Sequence, residues 1–575
     1  MLHPIQIGFQ KNKRTSDHIF VLKSIIEAAK TTERVPLYGC FIDFKKAFDT
    51  VWRLGLYYKL LTQYQCSPKF VRIIKNMYSN LTASVKINNS VSSSFPITIG
   101  LRQGCNLSPN LFNLYVNDLE KILMKGNCDP VNLNNIKINS LMYADDMLIL
   151  SKSERGLRKA ICILEIYCDK WQLLVNTNKS KIMIFNKADK TLTKTIQYKD
   201  INLQIVDEYI YLGVKIHQSG SFLPAIKDLS MKAQRAYFSL QSALKHMNVT
   251  PRLQIKLFDL LIKPIMLYAC EVWGGFGVRL NTRSKQLCKL MNNDKLPFET
   301  LNIKLCKYSL RLPNRVSNMG SRAELGRLPI MKSVIVAVLK YYLRSEFLDR
   351  TDPLKQAFMS QKSLRKNSYN TFTFTNICSE LFKELNFTLP QLQHSDSIGT
   401  KQFINKLGKD IKYRCVEEFK KQFELNMSSI QRSTESKLTL YSILKKEYTY
   451  ENYVELGNIC NVSSLVKFKL STHSLPIELG RYKRPKIARN NRSCLFCKSS
   501  VGSEFHVLME CKHDTLAHMR KLHMDRIECI SPQMKQLPAI YTFLYILKGH
   551  DLSIVPETCK WLEMCNDEHK KFEAT

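Results

Sequence analysis

The run LMYADDMLIL, Leu141 to Leu150, is the stretch that most constrains how this chain folds. Leu141, Met142, Leu148, Ile149 and Leu150 read as a buried strand pair. Between them stand two adjacent carboxylates, Asp145 and Asp146, where unpaired negative charge is costly. Taken alone, an Asp pair in this setting reads as a hairpin turn. A second acid, Asp43, closes the apolar run LYGCFI in the same manner. If the two segments pair, Asp43 and Asp145 converge at one end of a sheet and repel unless a divalent cation lies between them. Oxygen-only ligands suit Mg²⁺. Two such ions are the arrangement that stabilises both the attacking and the leaving oxygen in phosphoryl transfer.

The charge balance points to the partner. Across 575 residues, 86 Lys and Arg stand against 49 Asp and Glu, a net charge of +37. An excess this large marks a polyanion-binding chain, nucleic acid by default. An apolar fraction of 45% supplies packed interiors, and the length calls for two to four domains. The amino terminus lacks a signal-type apolar core, so the 18 cysteines are expected to be reduced. The most apolar long stretch is interrupted by Asp259, Lys263 and Glu271, which excludes a membrane helix there. These features predict an intracellular chain, nuclear or cytoplasmic.

Strands are expected at LYGCFIDF (Leu37 to Phe44), INSLMYAD and SKIMIFN. SDHIFVLKSIIEAAKTT reads as a helix capped by Ser16. SPNLFNLYVNDLEKIL reads as a helix opened by Ser108 and Pro109, with Leu111, Tyr115 and Leu119 on one face. Beyond Ser221 the pattern is mostly helical and basic, with a loop or linker expected from Ser360 to Asn370.

FIDFKKAFDTV, GLRQGCNLSPNLF and YADD occur in this order and resemble motifs A, B and C of a reverse transcriptase of the non-LTR (LINE-type) retrotransposon branch. LLVNTNKSKIMIF resembles motif D, YIYLGVKI the primer grip, and QIGFQKNKRTSDHI the fingers segment before motif A. KPIMLYACEVWG and NMGSRAELGRLPI continue the likeness into the thumb and tail. The resemblance implies an RNA-directed DNA polymerase that uses an RNA template, a DNA primer and deoxynucleoside triphosphates. It implies that Asp43 and Asp145 ligate two Mg²⁺ ions, assisted by Asp146. Phe48 matches the steric gate against a ribose 2′-OH. Gln103 matches the residue that touches the templating base or nucleotide, Arg102 a template-phosphate contact, and Gly104 a close backbone approach. Tyr211, Leu212 and Gly213 match the primer grip. Lys179 is the candidate general acid for the leaving pyrophosphate, with a solvated surface lysine as the alternative.

Near the carboxyl end, Cys494, Cys497, His506 and Cys511 have C-x2-C-x8-H-x4-C spacing, which suits one structural Zn²⁺. His513 is a rival ligand. The preceding basic run holds Arg481, Lys483, Arg484, Lys486, Arg489 and Arg492, with Tyr482 and Phe496 as nearby rings, a composition that suits single-stranded RNA.

The expected fold is α+β: a right-hand polymerase palm with partial fingers, a helical thumb and a mostly helical carboxyl-terminal region ending in a CCHC zinc knuckle. Helices are expected on one face of the acid-bearing strands. The division is 1–36 partial fingers, 37–220 palm, 221–345 thumb and connection, 346–480 helical region, and 481–575 basic segment and knuckle with tail. No endonuclease and no upstream fingers segments are expected in this chain. The competing reading is therefore a catalytically weak or inactive RNA-binding remnant. Oligomeric state is not legible.

Overall fold

The structure is a computed structural model describing residues 2–186, 195–277, 291, 293–367, 373–388, 397–432 and 436–574. The expected strands β1 (Leu37–Ile42), β2 (Ser140–Tyr143), β3 (Asp146–Ser151) and β4 (Lys181–Phe185) form one five-stranded sheet with a short strand not predicted from sequence, β5 (Gln204–Ile205). Their spatial order is β5-β4-β1-β3-β2. The central β1 is antiparallel to both neighbours, Gly39 standing opposite Leu150 on one side and Met183 on the other. A separate hairpin, β6 (Glu208–Tyr211) and β7 (Val214–His217), follows the sheet in sequence.

Alternation along these strands sends side chains into two cores. Phe41, Leu148, Leu150, Met183 and Phe185 share one core with α1 (Thr15–Ala28), through residues such as Phe20, Leu22 and Ile25. Cys40, Ile42, Met147, Ile149 and Ile182 share the other with α2 (Ser108–Val116), α3 (Leu119–Lys125) and α4 (Glu154–Trp171). Helices on one face alone therefore understates the packing. β1 is covered on both sides, as an unbroken apolar strand requires.

Three local expectations are corrected. Ser16 lies inside α1, and the helix begins after Arg14, whose N–H donates to the Asp17 carboxylate at 2.9 Å. Ser108 is the first residue of α2 after an N-cap at Leu107, and its hydroxyl meets that of Tyr78 at 3.1 Å. The stretch predicted as a loop from Ser360 is helical through Asn367, with 368–370 outside the described residues. Helix-compatible Lys, Arg, Gln and Leu dominate there, and burial of Gln361 and Leu364 overrides the Ser signal.

Downstream lie α5 (Leu223–Leu244), α6 (Pro297–Ser309), α7 (Asn318–Glu324), α8 (Ile330–Glu346) and α9 (Pro353–Asn367). The first helix is tied to this tail. Arg344 donates to both Asp17 oxygens at 2.6 and 2.8 Å, Lys13 pairs with Asp352, and Gln361 donates to Glu27 at 3.0 Å. The SRAELGR stretch is a buried junction. Arg327 makes two 2.7 Å bonds to Asp259 and one of 2.8 Å to Asn302. Arg322 pairs with Asp294 at 2.7 Å, and Glu324 with Lys469 at 3.1 Å. These contacts join helices that are far apart in sequence. Near the carboxyl end α10 (Asp514–Ile530) packs on α11 (Val555–Ala574). Among the described residues no helix is long and apolar enough to cross a membrane.

Candidate active site and Cys/His cluster

The hairpin-turn reading of the Asp pair is realised in part, with Asp145 in the turn and Asp146 opening β3. β2 and β3 form a hairpin with Tyr143 opposite Asp146, so Ala144 and Asp145 are its turn. That turn lies at the end of β1, because Ile42 pairs with Met147 and the next residue is Asp43. The three carboxylates feel one another. Burial, then Asp145 and Asp43, pushes the Asp146 carboxyl up to about 6. Asp145 is raised by burial first and by Asp43, against a lowering backbone hydrogen bond. Mutually repelling acids at a partly buried strand end hold their charge best around a cation.

Main-chain contacts fix Asp43. Its N–H donates to the buried Ser180 hydroxyl at 3.1 Å, and its carbonyl accepts from Asn176 at 2.7 Å. The turn from Asn176 to Ser180 thus leans on the acid, and it carries the exposed Lys179.

The glycine loop wraps the segment after Asp43. Leu101 N–H donates to the Phe48 carbonyl at 2.7 Å, Gly100 N–H to Val51 at 2.9 Å, and the Gln103 amide to the Asp49 carboxylate at 2.8 Å. Gly100 is needed twice over: its φ is +81°, and a Cβ would sit 2.4 Å from the Asp49 carbonyl oxygen. Gly104 also has a positive φ, +79°, but open space surrounds its missing Cβ. Arg102 and Gln103 are exposed beside it. Phe48 is half-buried, its ring stacked on Phe112 with centroids 4.9 Å apart.

In the β6–β7 hairpin, Leu212 and Gly213 have φ of +47° and +80°, the pair of positive values that a tight two-residue turn requires. Tyr268 donates its hydroxyl to the Leu212 carbonyl at 3.0 Å, which holds the non-glycine residue in that conformation. Tyr211 is buried and Tyr209 stacks on Phe41 at 4.3 Å. Burial, then the negative Asp43 and Asp146, raises the Tyr209 phenol to about 12, which places the hairpin beside the acids.

At the other end of the chain, ligand atoms of Cys494, Cys497, His506 and Cys511 all lie within 4.8 Å of one another. The Cys494 and Cys511 sulfurs are 3.9 Å apart, and Cys497 Sγ is 3.3 Å from His506 Nε2. A tetrahedral zinc with sulfurs about 2.3 Å away spaces two thiolates by about 3.8 Å, so the set fits that ion. His513 is outside the cluster, its ring packed against Phe496 at 5.1 Å. Phe496 also meets His569 and Phe572, each at 4.8 Å, so this ring is engaged within the protein. The basic run divides. Lys483, Arg484 and Lys486 are exposed, whereas Arg481 pairs with Glu478 at 3.1 Å. Arg489 is half-buried, and Arg492 is buried with its guanidinium on the Ile477 and Ile487 carbonyls.

Residues 1–216 match the family described as reverse transcriptase (RNA-dependent DNA polymerase). That stretch is similar to a reverse transcriptase domain. Over 278 residues the chain is 26% identical to a probable RNA-directed DNA polymerase from transposon BS of Drosophila melanogaster, covering 47% of this chain and 30% of that protein. It is 27% identical over 278 residues to the RNA-directed DNA polymerase from mobile element jockey of Drosophila funebris, covering 47% of this chain and 29% of the relative. The match thus spans less than a third of these curated relatives. A solved apo telomerase from Candida tropicalis aligns over 62% of this chain and 58% of its own, with 12% identity and a TM-score of 0.29.

The acids, the glycine loop and the β6–β7 turn all fall within the residues that match the reverse transcriptase family, and the Cys/His cluster falls outside them. A domain of this kind generally uses Mg²⁺. Sequence reasoning missed Ser180, Asp49 and Tyr209. Ser180 and Asp49 stand directly beside singled-out residues, yet only the fold shows what they touch.

Proposed function

We propose that the chain is an RNA-directed DNA polymerase of a non-LTR retrotransposon, adding deoxynucleotides to a DNA primer on an RNA template. The observation that carries this reading is the convergence of Asp43, Asp145 and Asp146 at one sheet end within the residues that match the reverse transcriptase family. On this reading these carboxylates would hold two Mg²⁺ ions, which when bound would neutralise charge on the attacking and leaving oxygens. Phe48, backed by Phe112, is the gate that rejects a ribose 2′-OH. Gln103, fixed by Asp49, faces the templating base or nucleotide, with Gly104 leaving room and Arg102 on template phosphate. Lys179 delivers a proton toward pyrophosphate. The Tyr211–Leu212–Gly213 turn holds the primer end.

On this reading 37–220 is the palm, 1–36 part of the fingers, 221–345 the thumb and connection, and 346–480 a helical region. Residues 481–575 carry the knuckle. Lys483, Arg484, Lys486 and Arg489 are the phosphate contacts of the basic segment, while Arg481 and Arg492 serve chiefly its own structure.

The test is primer extension on RNA with Mg²⁺ and deoxynucleotides, with Asp43→Asn as control. Extension that the substitution removes supports the polymerase. Salt-sensitive RNA binding without extension would leave an RNA-binding remnant instead. For the knuckle, metal analysis of the purified chain is expected to find about one zinc per molecule, lost in Cys494→Ser. A chain without zinc that melts unchanged in chelator would refute the site.

A further inference from the structure

We propose that Gln6 is a positioning residue for the acidic turn, setting where Asp145 points; the proposal rests on the polymerase reading of that site. The residues before α1 run alongside β2. Ile7 N–H donates to Met142 at 3.0 Å, Met142 N–H to Ile5 at 3.4 Å, and Gln6 bridges Met142 in parallel. This pairing brings the fully buried Gln6 side chain onto the peptide of Ala144.

The contact is reciprocal. Gln6 Oε1 accepts from Ala144 N–H at 2.9 Å, and Gln6 Nε2 donates to the Ala144 carbonyl at 3.3 Å. The same Oε1 accepts from Gly8 N–H at 3.1 Å. Ala144 needs such a hold because its φ is +56°, a left-handed conformation that costs a non-glycine residue about 1–2 kcal/mol. Gly8 permits the approach: a Cβ there would lie 2.3 Å from the Ala144 nitrogen. The Gly8 carbonyl is anchored in turn by Asn113 of α2 at 2.6 Å. A buried amide, a glycine and a buried asparagine thus support the two peptide groups that flank Ala144, the residue before Asp145. None of these groups lies on the strands that bear the acids.

The roles divide accordingly. On the polymerase reading Asp145 would hold the cation, and Gln6 holds the residue before it in a conformation that Ala144 does not favour. A shift of about 1 Å at a reacting centre can cost a hundredfold in rate, so a clamp of this kind acts on turnover rather than on affinity for nucleic acid.

The test combines steady-state primer extension with a Mn²⁺ thermal-shift titration that requires no turnover. Gln6→Leu removes the amide at similar volume. Gln6→Asn keeps the amide but withdraws it by one carbon, and serves if the leucine variant does not fold. Either variant is expected to lower kcat about ten- to a hundredfold, with the nucleotide KM and RNA affinity within about threefold of wild type. Half-maximal thermal shift should need more Mn²⁺. Adding Ala144→Gly to Gln6→Leu should recover part of kcat, because glycine adopts the positive φ freely. The proposal is overturned if kcat and the Mn²⁺ response are unchanged. It is also overturned if kcat, KM and RNA affinity worsen together and Ala144→Gly restores nothing, which is the signature of general loosening. Should the wild-type chain extend no primer, the polymerase reading falls. The Mn²⁺ titration still decides Gln6: a weaker response in Gln6→Leu supports the clamp, and an equal one refutes it.

Discussion

Asp145→Asn is expected to remove primer extension by at least about a hundred- to a thousandfold while leaving the metal-free protein as stable as the wild type or slightly more so. Without a cation, Asp43, Asp145 and Asp146 crowd negative charge into a partly buried strand end, and the raised carboxyls of Asp145 and Asp146 record the strain. Asparagine keeps the shape of the turn and deletes one charge. Relief of about 1 kcal/mol would raise Tm by about 2 °C. Adding Mg²⁺ should then stabilise the wild type and help the variant less. A variant that loses activity together with several degrees of Tm would show instead that Asp145 is a structural acid.

Glu324→Leu is expected to be the most damaging single change away from the candidate active site, at about 3–5 kcal/mol. Glu324 and Lys469 are both almost wholly buried, 3.1 Å apart, and Tyr453 donates to the same carboxylate. Removing the acid leaves Lys469 charged in an apolar interior. Burial works against the Glu324 charge, but Lys469 and Lys445 outweigh it and hold its carboxyl below the ordinary glutamate range. The sign follows: a depressed folded-state value gives stability that is present above the unfolded value and lost as pH falls through the folded one. Acid below the ordinary glutamate range should therefore progressively weaken this junction in the wild type, and the variant should lose that sensitivity. The double variant Glu324→Leu/Lys469→Met should recover most of the stability, because an apolar pair of similar volume replaces a buried ion pair at little cost. Thermal melts of the two variants decide it. A double variant no better than the single one would rule out the unpaired lysine as the cause.

How much was legible differs by element. The β1, β2–β3 and β4 strands stood out as apolar runs, and the acids stood out because charge inside such runs is anomalous. The four-residue Cys/His spacing was equally plain, and those side chains meet in space. The helix starts at Ser16 and Ser108 were misplaced because Ser favours a cap only when its main chain lies outside the helix, and neither does. The Ser- and Lys-rich stretch from Ser360 read as a linker because composition cannot see that Gln361 reaches Glu27 on α1. In the basic run, charge count could not separate Lys483, Arg484 and Lys486 from Arg492, which is buried on two carbonyls.

Residue type and spacing alone single out the candidates for chemistry: where the acids interrupt apolar strands, where glycines permit positive φ, and which four side chains have metal spacing. Those are local properties, set by residue type and separation. Which distant residues hold them follows from the fold alone. Gln6 reaches Ala144, Ser180 meets the Asp43 backbone, and Glu324 meets Lys469. Each is an ordinary polar residue in its own neighbourhood, and each acquires its role because the fold buries it against one particular partner, where a hydrogen bond or charge must be satisfied.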